Sequence, residues 1–182
     1  MIDCQHFQFA SPPRTGTSWF VQCVAACGWQ HSSRMNVHQP PTEIDANAYR
    51  VTIVRHPVHW LDSYYHSLQG GLVGVPDVDE FALLVRGTRD FDEFVMKVVD
   101  EKPGAVGAMF DSYKASTVMR LEDQPWAVLE FFDLFSATRD GKQRVRELGV
   151  QNNRKHINVI SPKTWDAIME SESEYAEKYE YY

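Results

Sequence analysis

Long apolar runs are missing from this chain. None of its 182 residues lies in an apolar stretch that approaches the ~20 residues needed to span a bilayer. The first residues also lack the order of a secretory signal, in which basic, apolar and small residues follow one another. We therefore expect a cytoplasmic protein that does not associate with a membrane.

Cysteine is scarce, with three residues in the whole chain, an odd number. Two of them, Cys23 and Cys27, lie four positions apart on an apolar run with helical character. Burial explains such a pair better than metal binding or a disulfide does. A reducing compartment agrees with this usage.

Positive charge is also in short supply. The formal net charge is −7, from 25 acidic and 18 basic residues, which argues against nonspecific binding to nucleic acid or to an acidic membrane. No internal repeat and no Gly/Ser-rich or charged linker divides the sequence. A chain of this length can bury a core, and we predict a single domain over 1–182.

The segment Ser11–Ser18 contains no lysine. This segment follows the strand-like run Gln5–Ala10 and enters the apolar helical run Trp19–Cys27. Strand, tight loop and helix in that order present backbone N–H groups at a helix N-terminus, where the helix dipole favours phosphate or sulfate. The pattern predicts an anion-binding loop. An ordinary turn before a buried helix is the alternative.

The nucleoside-triphosphatase template G-x-x-x-x-G-K-[ST] shows what the missing lysine means. Gly16 and Ser18 match the template, but Ser11 replaces its first glycine and Thr17 stands where the lysine belongs. That lysine grips the β- and γ-phosphates of ATP. Since Arg14 is the one cation of the loop, we predict a site for an anion other than ATP with magnesium.

A second candidate anion-binding element follows. Arg50–Arg55 is a short β-branched run typical of a buried strand, and Pro57 after it suits the first turn of a helix. Ser63 lies eight residues beyond Arg55, on that helix. Open α/β sheets bind ligands at the carboxyl ends of their strands, so Arg55 is a candidate ligand-binding residue. The alternative is an arginine that pairs with a carboxylate of the protein.

Together these segments resemble the sulfotransferases, which transfer a sulfuryl group from 3′-phosphoadenosine 5′-phosphosulfate (PAPS). Pro13–Trp19, P-R-T-G-T-S-W, is similar to the family's 5′-phosphosulfate loop, and Arg55–Tyr65 is similar to its 3′-phosphate motif. Two weaker similarities follow in the family's order, Val118–Pro125 and His156–Ser161. The resemblance implies a PAPS-dependent sulfotransferase that needs no metal and acts on a hydroxyl or amine of a carbohydrate or small-molecule acceptor.

Two other functions stay open. One is a P-loop kinase or nucleotidase that uses ATP, against which the missing lysine speaks. The other is a non-catalytic nucleotide-binding module. At 182 residues the chain is short for a sulfotransferase, so we expect the elements that wrap the acceptor to be trimmed.

The alternation of strands and helices predicts an α/β fold with a central parallel sheet and helices on both faces. The resemblance narrows this to a three-layer α/β/α, P-loop NTPase-like sulfotransferase fold. Strands are predicted near 5–10, 35–37, 50–55 and 116–121. Helices are predicted near 17–27, 57–69, 91–102 and 105–114, and again from Pro125 and from Pro162. Residues 70–90 are predicted to be irregular, as a mobile loop or lid.

The resemblance also implies roles for residues of the loop. Backbone N–H groups from Thr15, Gly16, Thr17 and Ser18 would hold the 5′-phosphate, with the Thr17 and Ser18 hydroxyls adding bonds. Arg14 would stabilise the charge that develops on the leaving oxygen. A second set of positions is less specific: Trp19 stacks on adenine or belongs to the core, and Arg154 and Lys155 add phosphate contacts or lie in a solvated loop.

For the 3′-phosphate, the resemblance implies binding by Arg55 and Ser63. The general base that accepts the proton of the acceptor is predicted to be His38, since Val37-His-Gln-Pro40 is similar to a His-x-Pro segment of the family. The Lys-Thr that precedes that histidine in the family is Asn36-Val37 here. Glu43 is the alternative base, and a structural role for His38 is the third possibility.

Overall fold

The computed structural model describes residues 1–33, 38, 40, 48–69, 80–149 and 160–182. Within these ranges the chain is an α/β protein with a mixed sheet. The strands are β1 (Ile2–Cys4), β2 (Gln8–Phe9), β3 (His31–Ser33), β4 (Arg50–Val54) and β5 (Thr117–Arg120). The helices are α1 (Thr17–Ala26), α2 (Pro57–Gln69), α3 (Glu80–Val85), α4 (Phe91–Glu101), α5 (Ala105–Asp111), α6 (Trp126–Asp133), α7 (Arg139–Leu148), α8 (Pro162–Ser171) and α9 (Ser173–Lys178).

Contacts along the chain divide it into two compact units. The sheet unit comprises Met1–Arg55 and Phe110–Arg154, and the helical unit comprises His56–Met109 and Lys155–Tyr182. All five strands belong to the sheet unit. The interpretation of the chain as a single domain stays a prediction.

The sheet has the strand order β3-β1-β2-β4-β5. Strands β2, β4 and β5 are parallel, with Phe9 opposite Val51 and Val54 opposite Arg120. Strand β1 is antiparallel to both of its neighbours, so the prediction of a parallel sheet was wrong for this edge. The cause is a tight turn in which the Cys4 N–H donates to the Phe7 carbonyl at 2.8 Å and reverses the chain.

The core of the sheet unit is largely aromatic. Phe9 of β2 and Phe20 of α1 are fully buried, with ring centroids 4.2 Å apart, and Phe132 of α6 lies 5.8 Å from Phe20. Aromatic rings bury the most area for each side chain. The contact between β2, α1 and α6 therefore fixes the direction in which α1 leaves the sheet.

Helix α7 was not predicted, because its sequence contains few apolar residues. Its buried positions are Gly141 and Val145, one helical turn apart. A Cβ at Gly141 would lie 3.1 Å from the Cys27 Cα, so this glycine permits close packing of α7 on the end of α1. Thr138 caps the helix by accepting a hydrogen bond from the Gly141 N–H.

In the helical unit, α2 spans 57–69 and α4 spans 91–101, which confirms both predicted helices. Helix α4 buries an apolar stripe that includes Phe94, Val95 and Val98. Asp90 caps α4 by accepting from the Glu93 N–H at 2.9 Å. An apolar stripe is a local feature, which is why the sequence sufficed here.

The predicted irregular stretch 70–90 is corrected in part. Residues 70–79 lie outside the described residues, but Glu80–Val85 form helix α3. Phe81 of α3 packs on Trp60 and Tyr64 of α2, with ring centroids 5.4 and 5.9 Å apart. Burial of this ring provides the stabilisation that the short helix could not have alone.

The strand predicted near 5–10 is reduced to Gln8–Phe9, because the tight turn occupies the preceding residues. The remaining predicted elements are observed with small shifts, apart from two. The strand near 35–37 lies outside the described residues. The last predicted helix is divided into α8 and α9 at Glu172. Among the described residues, no helix is both long enough and apolar enough to cross a membrane.

Candidate anion-binding site

The loop between β2 and α1 is held by its own hydroxyl groups. Ser11 Oγ donates to the Ile53 carbonyl of β4 at 3.0 Å, and Thr15 Oγ1 donates to the Pro12 carbonyl at 2.6 Å. The two hydroxyls also contact each other. Ser11 and Thr15 are both 0% exposed. The Thr15 hydroxyl therefore stabilises the loop, and only its backbone can serve a ligand.

Helix α1 begins without a side-chain cap. Its N-cap residue is Gly16, with φ of 80°, and the first turn contains no acidic residue. The first backbone bond of the helix runs from the Phe20 N–H to the Gly16 carbonyl at 2.9 Å. The N–H groups of the preceding three residues, 17–19, have no acceptor within a helix. Gly16 has no side chain and supplies no capping hydrogen bond to them.

Gly16 is required here for two reasons. An L-residue with a side chain rarely adopts its positive φ, and an added Cβ would lie 2.7 Å from the Leu121 Cδ1. Leu121 follows β5 directly. The turn into α1 thus lies against the residue that follows β5, the second strand from β2 in the sheet.

The Thr17 hydroxyl is the strongest local sign of a ligand. Thr17 is 8% exposed, and its Oγ1 is buried with no hydrogen-bond partner among the described residues. A buried polar group without a partner costs ~1–3 kcal/mol. The adjacent Ser18 is exposed. An anion at this helix terminus would give the Thr17 hydroxyl an acceptor.

Arg14 and Arg55 meet at this loop. Arg55 directly follows β4, and its Nη1 donates to the Arg14 carbonyl at 3.1 Å. Arg14 has a φ of 67°, a left-handed conformation that costs a non-glycine residue about 1–2 kcal/mol. Such strain persists where the surroundings enforce it, often at functional sites. Both side chains are half-buried.

His38 reaches the start of the same loop. Its Nδ1 lies 3.0 Å from the Ser11 carbonyl oxygen. A carbonyl can only accept a hydrogen bond, so Nδ1 carries the proton, and in the neutral ring Nε2 carries the lone pair.

Tyr113 holds the backbone of His38. Its hydroxyl donates to the His38 carbonyl at 2.7 Å. Tyr113 is 3% exposed, and burial raises the pKa of its hydroxyl above the ordinary value, so it remains a donor. Sequence analysis missed this residue because its partner lies 75 positions away, and no local pattern marks such a contact.

The structure places Trp19 in the core. The side chain is 1% exposed and packs in the main apolar cluster of the sheet unit. This position favours the core alternative over adenine stacking. The indole Nε1 is buried without a partner among the described residues.

Four further predicted site residues remain. Ser63 lies on α2 in the helical unit. Glu43, Arg154 and Lys155 lie outside the described residues. Their assigned roles stay predictions.

The cysteines are unpaired, and Cys23 and Cys27 are buried, as predicted from their spacing. Burial raises the pKa of Cys23 to about 12, and Cys27 adds to the effect. Burial likewise raises the pKa of Cys4 to about 12, with a contribution from Asp3. A thiol with so high a pKa is a poor nucleophile and metal ligand. In the described part of the chain, no three His, Cys, Asp or Glu side chains form a metal-binding group.

The site therefore consists of an uncapped helix terminus, a buried hydroxyl, two arginines and an oriented imidazole. All of these lie in the sheet unit. Comparison of the chain with protein-family models, with curated proteins and with solved structures found no match in any of the three.

Proposed function

We propose that this chain is a sulfotransferase that moves a sulfuryl group from PAPS to a hydroxyl or amine of a carbohydrate or small-molecule acceptor. The proposal includes the P-loop NTPase-like sulfotransferase fold. One observation carries it: the guanidinium of Arg55 lies 3.1 Å from the Arg14 carbonyl, at the loop that enters α1. The two segments that resemble the donor-binding motifs therefore converge in one place.

The start of α1 suits the 5′-phosphosulfate end of the donor. The N–H groups of residues 17–19 point out of the helix, and the helix dipole places partial positive charge there. Thr17 Oγ1 supplies a buried hydroxyl in need of an acceptor. With threonine in place of the template lysine, this terminus offers hydrogen-bond donors rather than a grip for a triphosphate.

Arg55 suits the 3′-phosphate. A guanidinium carries five N–H donors in a planar fork, so it can hold the Arg14 carbonyl and a phosphate oxygen at once. Its bond to the loop backbone also fixes the spacing between the two phosphate-binding elements. Contacts from Ser63, Arg154 and Lys155 would add to this site and are part of the proposal.

The transfer is an in-line displacement at sulfur. The acceptor oxygen forms a bond to sulfur while the bond from sulfur to the bridging phosphate oxygen breaks, and adenosine 3′,5′-bisphosphate leaves. His38 Nε2 takes the proton of the acceptor. Arg14 stabilises the negative charge on the leaving oxygen. The protein otherwise positions the reactants.

Calorimetry with adenosine 3′,5′-bisphosphate tests the donor site. The wild-type chain should bind it, and Arg55→Ala should weaken binding roughly 10- to 100-fold, because hydrogen bonds to charged groups contribute about 1.5–3 kcal/mol. Arg89→Ala is the matched control, since Arg89 is an exposed arginine that pairs with Glu93. Absence of binding by the wild type, or equal affinity of Arg55→Ala, would overturn the proposal.

Two further measurements separate the alternatives. Tighter binding of ATP with Mg²⁺ than of the bisphosphate would favour a kinase or nucleotidase. Radiolabelled PAPS offered with a panel of sugars, phenols, amines and peptides should yield a labelled product. Normal donor binding with no product from any acceptor would favour a non-catalytic nucleotide-binding module.

A further inference from the structure

Tyr113 is joined to the anion-binding loop through His38. The phenol hydroxyl donates to the His38 backbone carbonyl at 2.7 Å, and the imidazole Nδ1 donates to the Ser11 carbonyl at 3.0 Å. Ser11 in turn donates through Oγ to Ile53 of β4. A chain of hydrogen bonds therefore runs from Tyr113 to the sheet by way of the imidazole.

We propose that Tyr113 is a positioning residue for His38 and selects its Nδ1–H tautomer. The proposal rests on the proposed function only in naming His38 as the proton acceptor of the transfer. Tyr113 does not touch the reacting atoms. It holds the backbone of His38 so that Nδ1 stays on the Ser11 carbonyl and the lone pair of the neutral ring stays on Nε2.

The chemistry of the three groups supports this role. The Ser11 carbonyl is an acceptor only, so the short contact exists only while Nδ1 bears a proton. The Nε2–H tautomer would place two lone pairs against each other and break that contact. A histidine used as a base commonly has its second ring nitrogen fixed by a carbonyl or carboxylate in this way.

The burial of Tyr113 makes its own contact persistent. The residue is 3% exposed, and burial raises the pKa of its hydroxyl, so the phenol stays protonated and donates throughout the neutral range. Removing the hydroxyl would leave the His38 carbonyl without this donor. The imidazole would then sample other positions and both tautomers.

Long-range ¹H–¹⁵N NMR of the imidazoles tests the proposal without any acceptor or donor. Wild-type His38 should show a protonated Nδ1 and an unprotonated Nε2, and Tyr113→Phe should shift both nitrogens toward an average of the two tautomers. Tyr49→Phe is the matched control, because it removes a phenol of the same unit that pairs with Thr117. An Nε2–H tautomer in the wild type, or an unchanged tautomer in Tyr113→Phe, would overturn the proposal.

Kinetics with radiolabelled PAPS provide the second readout. Tyr113→Phe should lower turnover ~10-fold, a part of the 10²–10⁴ supplied by a general base, and should leave the affinity for adenosine 3′,5′-bisphosphate within twofold. In a His38→Ala background, Tyr113→Phe should cause no further loss, since the two residues act as one unit. An equal loss in both backgrounds would mean a purely structural role.

The two readouts also distinguish this proposal from the proposed function. A chain that fails to bind the bisphosphate but shows the Tyr113-dependent tautomer would refute the sulfotransferase and retain the positioning of His38. A chain that binds the bisphosphate and transfers sulfate, with a tautomer indifferent to Tyr113, would refute the positioning alone.

Discussion

The N-termini of α1 and α5 differ in how their first N–H groups, which have no acceptor within a helix, are satisfied. The first N–H groups of α5 are satisfied by a carboxylate of the protein: Glu172 Oε1 accepts from the Val106 N–H at 3.1 Å, and Oε2 accepts from the Gly107 N–H at 2.8 Å. Helix α1 has a glycine cap, no acidic residue in its first turn and a buried Thr17 hydroxyl without a described partner. One terminus is satisfied by a carboxylate of the protein, and the proposed function assigns the other to an anionic ligand.

The remaining capped helices strengthen this contrast. Asp90, Thr138 and Ser161 each accept a backbone N–H in the first turn of α4, α7 and α8. A side-chain cap stabilises a helix by about 1 kcal/mol. Helix α1 lacks this stabilisation, and the proposed function assigns its first N–H groups to the ligand.

The largest loss of stability should come from removing the Glu172 carboxylate, which accepts hydrogen bonds at the start of α5. Glu172 is 3% exposed, and Glu172→Ala would leave two buried N–H groups without an acceptor. We expect the free energy of unfolding to fall by about 2–4 kcal/mol, measured by urea denaturation. Affinity for adenosine 3′,5′-bisphosphate in the folded protein should be unchanged. A loss below 0.5 kcal/mol, roughly the level of an ordinary surface substitution, would show that the α5 terminus needs no carboxylate.

The pH dependence of stability, measured for wild type and for Glu172→Gln, tests the role of the same carboxylate. Burial raises the pKa of Glu172 above its ordinary 4.5, although the Gly107 and Val106 N–H groups act in the opposite direction. The folded state therefore binds the proton more tightly, and this contribution to stability is present below pH 4.5 and lost as pH rises through the raised pKa. The stability of wild type relative to Glu172→Gln should decline over that window. A flat difference would contradict the raised pKa.

A smaller loss of stability is expected from Gly16→Ala, which changes the turn into α1. Positive φ costs an alanine about 1–2 kcal/mol, and the new Cβ would press on Leu121. Both stability and bisphosphate affinity should fall. Gly28→Ala is the control, because Gly28 has a φ of 75° but nothing within 4 Å of an added Cβ. If Gly16→Ala and Gly28→Ala retained the same bisphosphate affinity, the turn would have no part in binding.

The smallest change in stability, and an opposite one, is expected from Arg14→Gly. Glycine accepts the φ of 67° at this position without the steric cost, which should raise the free energy of unfolding by up to about 1 kcal/mol. If the guanidinium stabilises the leaving oxygen, as proposed, turnover should fall far more than bisphosphate affinity. Equal loss of turnover and affinity would reduce Arg14 to a binding residue.

Local patterns accounted for much of the fold and for part of the site. Helices α2 and α4 were predictable because apolar positions recur at helical spacing in both, and Pro57 marks the start of α2. The loop 11–18 was recognisable because strand, turn and helix follow directly along the chain. Helix α7 was not predicted, since its stability depends on the packing of α7 against α1, with Gly141 beside Cys27.

The residues around His38 show the same limit at the site. Its nitrogen contacts a carbonyl 27 positions away and its backbone contacts a phenol 75 positions away. The sequence could nominate the histidine by its neighbours in the chain. It could not supply the tautomer, which depends on those distant partners.

The amino-acid order alone determined where α1, α2 and α4 begin, which strand Arg55 follows and that no lysine stands in the loop, because propensity and hydrophobic period act over a few residues. The tertiary structure decided the antiparallel edge at β1, the helical state of 80–85 and the carboxylate at α5. It also decided that Arg55 contacts the loop backbone. These features depend on burial and on hydrogen bonds between segments far apart in the chain, which exist only once the chain has folded.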